Sequence, residues 1–248
     1  MPLEFYLREH SRLPGVRANL ELVADVASLL ATSVERCPEK VRTLLKHLLR
    51  DAFASDIQNT PTEFVVLCGV VGIGASAASY PPSREEAYGW LADYACSTHW
   101  RVREGVALAF QCLLPQAAEQ TIVYLKKLAE TGNFLTQRAA LAAICEPPLL
   151  TVPKVLQGAF EIQSCVMERV RQVPMAERKN EEFRLLRKTL GYTLSVVTVV
   201  SPEQGFTMMR TYAGWRDKDV TWILRENLKK KRLTRFSSYT EELVSLLS

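Results

Sequence analysis

The pattern Trp-x-x-Arg-Glu occurs twice, as WRVRE at Trp100–Glu104 and as WILRE at Trp222–Glu226. An indole and a guanidinium three residues apart share one side of a helix. Such a pair can stack on a base or sugar while it neutralises a phosphate. Just past the second copy runs KKKR, Lys229–Arg232, flanked by Arg225 and Arg235. Lysines and arginines on one stripe there would engage several phosphates with salt-dependent, sequence-independent affinity. The competing reading of KKKR is a solvated helix end, where the macrodipole favours cations. Lys231 turns toward the core side of the helical wheel and belongs to that second reading.

Two further arginines align with the first pair: Arg103 in VREGVALAF, Arg138 in TQRAALAAI, Arg187 in LLRKTLGYT and Arg225 in ILRENLKKK. Each is followed three residues later by an aliphatic side chain, Val106, Leu141, Leu190 or Leu228. A small residue follows the first three after four positions, Ala107, Ala142 and Gly191, so that a groove stays open or another helix can approach. The arginines are spaced by 35, 49 and 38 residues, near the period of two-helix solenoid repeats. At about 100° per residue, Trp100, Arg103, Ala107 and Phe110 form one stripe, opposite Val102, Val106, Ala109 and Leu113. Trp222, Arg225, Lys229 and Arg232 form a second stripe, opposite Val220, Ile223, Leu224 and Leu228. The candidate nucleic-acid-binding residues are therefore Trp100, Arg103, Arg138, Arg187, Trp222, Arg225, Lys229 and Arg232. An arginine that opens a repeat helix can equally bond to a neighbouring carboxylate or to helix-end carbonyls, and a tryptophan there can be half-buried packing.

Other chemistry finds little support. The three histidines, His10, His47 and His99, sit in no nucleophile–base context, and none pairs closely with a cysteine, so the sequence implies no metal and no cofactor. GVVGIGA, with Gly69, Gly72 and Gly74, lacks the Lys-Ser/Thr of a phosphate loop and reads as close helix packing. The six cysteines at 37, 68, 96, 112, 145 and 165 are scattered singly, which predicts reduced, buried thiols in a cytoplasmic protein. Thr60-Pro61-Thr62-Glu63 has the form of a helix N-terminus.

The elements that must position these residues are helical. Prolines punctuate the chain at intervals of roughly twenty to thirty-four residues, and a proline is tolerated only in a helix's first turn or in a loop. Between them, NLELVADVASLL, KVRTLLKHLL, EEAYGWLADYAC and EFRLLRKTLGY show 3.6-residue apolar spacing. The β-branched runs VVLCGVVGI and SVVTVV lack hairpin turns and read as buried helices. With 48% apolar and 23% charged residues the chain is of the folded class. No apolar run long enough to cross a bilayer is evident, and the charged N-terminus is unlike a signal peptide. The net charge of +4 lies wholly in residues 205–248, where nine Lys/Arg face five Asp/Glu.

Several stretches resemble a bacterial group of HEAT-like-repeat proteins in the DNA alkylation repair superfamily: LPGVRANLEL, EFVVLCGVVGIGA, WRVREGVALAFQ, QRAALAAICEPPLL, FRLLRKTLGY and DVTWILRENLKKKRL. The resemblance implies an all-α, right-handed α-solenoid of five or six repeats, forming a single domain over residues 1–248. It also implies a basic concave face for duplex, damaged or branched DNA. Characterised members excise alkylated purines without metal, using an aspartate, tryptophans and an arginine. The matching tryptophan-rich helix with its aspartate is missing here. Trp90 with Asp93 and Trp215 with Asp217 have the residue types but not the surroundings. The leading expectation is a DNA-binding protein. The alternatives are a protein scaffold holding an acidic helix or peptide, and a glycosylase built on one of those Asp/Trp pairs.

Overall fold

Prolines 38, 61, 153 and 202 each begin a helix, where the N–H they lack would have had no partner. The computed structural model describes residues 2–247, and among them it is all-α, with no strand. Its helices are α1 (Pro2–Glu9), α2 (Leu20–Ser33), α3 (Pro38–Leu48), α4 (Pro61–Ser79), α5 (Arg84–Ala95), α6 (Trp100–Thr131), α7 (Phe134–Ile144), α8 (Pro153–Gln172), α9 (Glu181–Val200), α10 (Pro202–Ala213), α11 (Lys218–Leu228) and α12 (Ser237–Leu246). The chain divides into two compact units, Met1–Thr121 and Ile122–Ser248. The division falls inside α6, beyond Pro115 and beyond Ala117, whose φ of −143° and ψ of 43° break the helix.

In the first unit α4 is the central element, flanked by α1, α2, α3 and α5. Thr60 caps it, its hydroxyl accepting from the Glu63 N–H, while the Glu63 carboxylate accepts from the Asn59 N–H at 2.8 Å. That reciprocal capping turns a β-branched run into a helix start. By length and composition α4 is apolar enough to cross a membrane, contrary to the sequence expectation. Most of it is instead buried against its neighbours, as a core helix would be. Its glycines serve packing. A Cβ on Gly74 would stand 2.1 Å from the Ala109 carbonyl oxygen, and one on Gly72 would stand 2.5 Å from Leu30.

In the second unit α9 is central. α7, α9 and α11 pack side by side, with α8 and α10 against α9 and α12 against α10. SVVTVV forms the C-terminal end of α9, buried from Ser195 to Thr198. Asn227, wholly buried on α11, ties it to α9. Its amide donates to the carbonyls of Leu190 (2.7 Å) and Ile223 (2.8 Å), and its oxygen accepts from the Ser195 N–H at 2.7 Å. Three satisfied bonds make a buried amide tolerable and fix the register of the two helices.

None of the six cysteines forms a disulfide. Cys68 and Cys145 are buried, Cys112 and Cys165 half-buried, and Cys37 and Cys96 exposed. The expectation of buried thiols fails at those two. Cys37 lies at the start of α3 and Cys96 at the end of α5, helix boundaries that leave one side open to solvent.

Candidate nucleic-acid interface

Asp219 lies in the first turn of α11, only 3% exposed, and its carboxylate bridges two arginines from other segments. One oxygen accepts from Arg178 at 3.1 Å, and the other accepts from Arg187 on α9. Arg178 in turn grips both oxygens of Asp217 at 2.7 and 2.8 Å and donates to the carbonyls of Arg171 and Val173 at the end of α8. Asp217 is the N-cap of α11, accepting from the Asp219 and Val220 N–H groups. Burial works to raise the Asp217 pKa, but the Val220 N–H and Arg178 outweigh it and hold this carboxyl below its ordinary value. For Arg178, burial works against the charge, and Asp217 and Asp219 more than compensate, so its pKa rises.

This network fixes the geometry above it. Arg187, held by Asp219, lies over the Trp222 ring with its guanidinium carbon 4.4 Å from the centroid. Gly191, one turn along α9, permits this approach, since a Cβ there would meet the Trp222 ring at 3.3 Å. Around the Arg187–Trp222 pair opens a cleft of about 640 Å³ lined also by Met175, Arg178, Lys179, Arg184, Lys218 and Asp219. Asp217 and Asp219 account for the charges of Arg178 and Arg187. Lys179, Arg184 and Lys218 are exposed and have no ion-pair partner among the described residues. The cleft therefore carries surplus positive charge beside an aromatic plane, an arrangement suited to an anion attached to a flat ring.

Of the eight candidate residues, Arg187 and Trp222 come together within the second unit. Arg103 does not share a surface with Trp100. It is 7% exposed and donates to the carbonyls of Ser97 and Thr98 at 2.6 and 2.8 Å. Phe110, on the same predicted stripe, is wholly buried, as is Val106 opposite, because core packing encloses this stretch of α6 on both sides. It is Arg101 that stacks on the half-exposed Trp100, at 4.5 Å, while donating to Glu63 (2.9 Å) and the Gly15 carbonyl (2.9 Å). The cleft beside Trp100, about 430 Å³, pairs Arg12 with Glu21 and also contains Glu104, so its charges nearly balance.

Arg138, half-buried, sits in the second turn of α7. Arg225 does not open a helix. It lies in the last turn of α11 and donates to the Leu247 carbonyl at 2.6 Å, capping the end of α12. Lys229 is exposed and paired with Glu226 at 2.5 Å. The predicted stripe from Trp222 to Arg232 breaks there, because α11 ends at Leu228 and Lys230 is extended. The chain turns so that Leu233 becomes wholly buried, which leaves Arg232 exposed on a short 3-10 turn. Burying one leucine stabilises by about 1.5–3 kcal/mol, more than a further turn of lysines would contribute. Asp93 is exposed on α5, and Asp217 is committed to capping α11 and holding Arg178.

The residues missed by the sequence reading are Lys179, Arg184 and Lys218. For Lys179 and Arg184 the signal was the density of cations in RKNEEFRLLRK, residues 178–188, which the Asn180 helix cap divides into two apparently unrelated pieces, whereas Lys218 lay within the cationic excess of residues 205–248. No family model, curated protein or solved structure matches the chain.

Proposed function

We propose that the protein binds DNA, with the cationic cleft of the second unit as its principal contact. The observation that carries this reading is the juxtaposition of three unpaired cations, Lys179, Arg184 and Lys218, with the Arg187-stacked Trp222. Unpaired lysines and arginines supply phosphate attraction, and the indole supplies sequence-tolerant stacking. The exposed KKKR turn adds cations in the same unit. We read the scaffold as a HEAT-like α-solenoid of five or six repeats, in keeping with the resemblance to the DNA alkylation repair superfamily. The side-by-side packing of alternate helices α7, α9 and α11 supports that reading. Its role is binding, not base excision.

The test is titration of duplex and branched DNA at low salt, followed by competition with polyglutamate. Tight, salt-sensitive DNA binding that polyglutamate displaces only weakly supports the proposal. Preference for the acidic polypeptide would replace it with the scaffold reading.

A further inference from the structure

The cleft around Trp222 differs from a track for the backbone of a continuous duplex. A track strings cations along an extended surface, one phosphate after another. Here the lining cations belong to one cleft of about 640 Å³, in the size range of sites that enclose a small ligand. Two of its five cations, Arg178 and Arg187, are matched by Asp217 and Asp219. The other three are left over, and a single internal phosphodiester bears only one charge. A terminal phosphomonoester bears between one and a half and two negative charges near neutral pH and has three strong acceptor oxygens.

The Nε of Arg187 is buried without a hydrogen-bond partner, although the rest of this guanidinium is positioned by Asp219 and Trp222. Buried donors of this kind are rare unless something else satisfies them. Lys179, Arg184 and Lys218 are exposed and enter no ion pair among the described residues. Glu177 and Glu182 line a different cleft with Asn133 and Arg169, and Glu181 lies outside the lining of this one.

We infer that this cleft binds the phosphorylated end of a nucleic-acid strand, the terminal phosphomonoester on Lys179, Arg184 and Lys218 and the terminal nucleoside against Trp222. The inference rests on the DNA-binding reading and narrows it from the backbone to the strand end. The same chemistry is offered by a free nucleoside monophosphate, and the experiment separates the two.

Fluorescence anisotropy with one labelled oligonucleotide, prepared with a 5′-phosphate, with a 3′-phosphate and with neither, gives the comparison directly. At least one phosphorylated form is expected to bind about tenfold more tightly than the unphosphorylated one, the scale of one charge-assisted contact. The preference should shrink below about pH 6, where the monoester takes up its second proton. It should vanish in Arg184→Ala and in Lys218→Ala. Both side chains are exposed, so the melting temperature should not change. Unphosphorylated DNA should still bind to these variants, more weakly. Equal affinity for phosphorylated and unphosphorylated strands, still salt-sensitive, overturns the inference and leaves the DNA-binding reading intact. No binding of any strand overturns both. A nucleoside monophosphate that competes as strongly as the phosphorylated oligonucleotide overturns the assignment to a strand end.

Discussion

Asp219 serves two arginines at once, and its removal leaves Arg178, 8% exposed, facing only Asp217. Breaking a buried pair from one side costs about 3–5 kcal/mol, because the surviving charge stays buried. Asp219→Ala should therefore lower stability by about that amount in urea denaturation, and it should also release Arg187 from Trp222. A loss under 1 kcal/mol would mean that the network is solvated and does not position the cleft. A second acid, Glu4 in α1, is held chiefly by Arg50. Partial burial opposes that effect, and His47 and Arg8 reinforce it, so the carboxyl stays well below the usual carboxylate range. A depressed folded-state value means that the contribution is complete above the ordinary glutamate pKa of 4.5 and is lost as pH falls beneath it. Glu4→Gln should flatten the acid limb of the stability–pH curve, and an unchanged limb would assign acid unfolding to other carboxylates. The thiols give a third residue-level outcome. Burial pushes Cys145 up to about 12 and raises Cys68 still further, whereas Cys37 and Cys96 are exposed. An aromatic disulfide reagent should modify two thiols quickly in the folded protein and six after denaturation.

Elements pack here according to where glycine sits. Gly74→Ala would drive a methyl group into the Ala109 backbone, which cannot rotate away as a side chain can, so a loss near 3 kcal/mol is expected, the upper part of the overpacking range. Gly89, exposed in the middle of α5 with open space around its Cβ position, is the control. Gly89→Ala should raise stability by about 0.8 kcal/mol through helix propensity alone. Thermal melts of the two variants moving in the same direction would contradict this account of α4 and α5.

At this level much was legible in the sequence. Proline placement marked helix starts, the GVVGIGA run read correctly as packing, and the apolar face of α11 was found from its wheel. What escaped was the point at which a helix stops. Lys229–Arg232 looks like a continuation of α11 on propensity, and only the burial of Leu233, a tertiary event, turns the chain away. Choosing Arg103 over Arg101 failed for a related reason. The wheel assigns a face, but the partner on that face, here the Ser97 and Thr98 carbonyls, comes from the preceding segment.

Across the whole molecule, charge is the property that a long-range partner would sense. The net charge of +4 is modest, yet the second unit concentrates unpaired cations at the Trp222 cleft while the Trp100 cleft of the first is nearly balanced. Composition located the excess in residues 205–248 but could not reveal that Lys179 and Arg184 join Lys218, since 39 and 34 residues separate them from it in sequence and only the packing of α9 and the turn before it against α11 unites them. The most direct test of the account is the affinity for a short duplex measured over a range of salt concentrations, for the native chain and for Lys179→Ala/Arg184→Ala/Lys218→Ala. Each phosphate contact contributes about 0.9 to the slope of log affinity against log salt, so the triple variant should bind more weakly, with a slope shallower by at least about 0.9. Parallel lines of equal affinity, or no binding by the native chain at low salt, would contradict it.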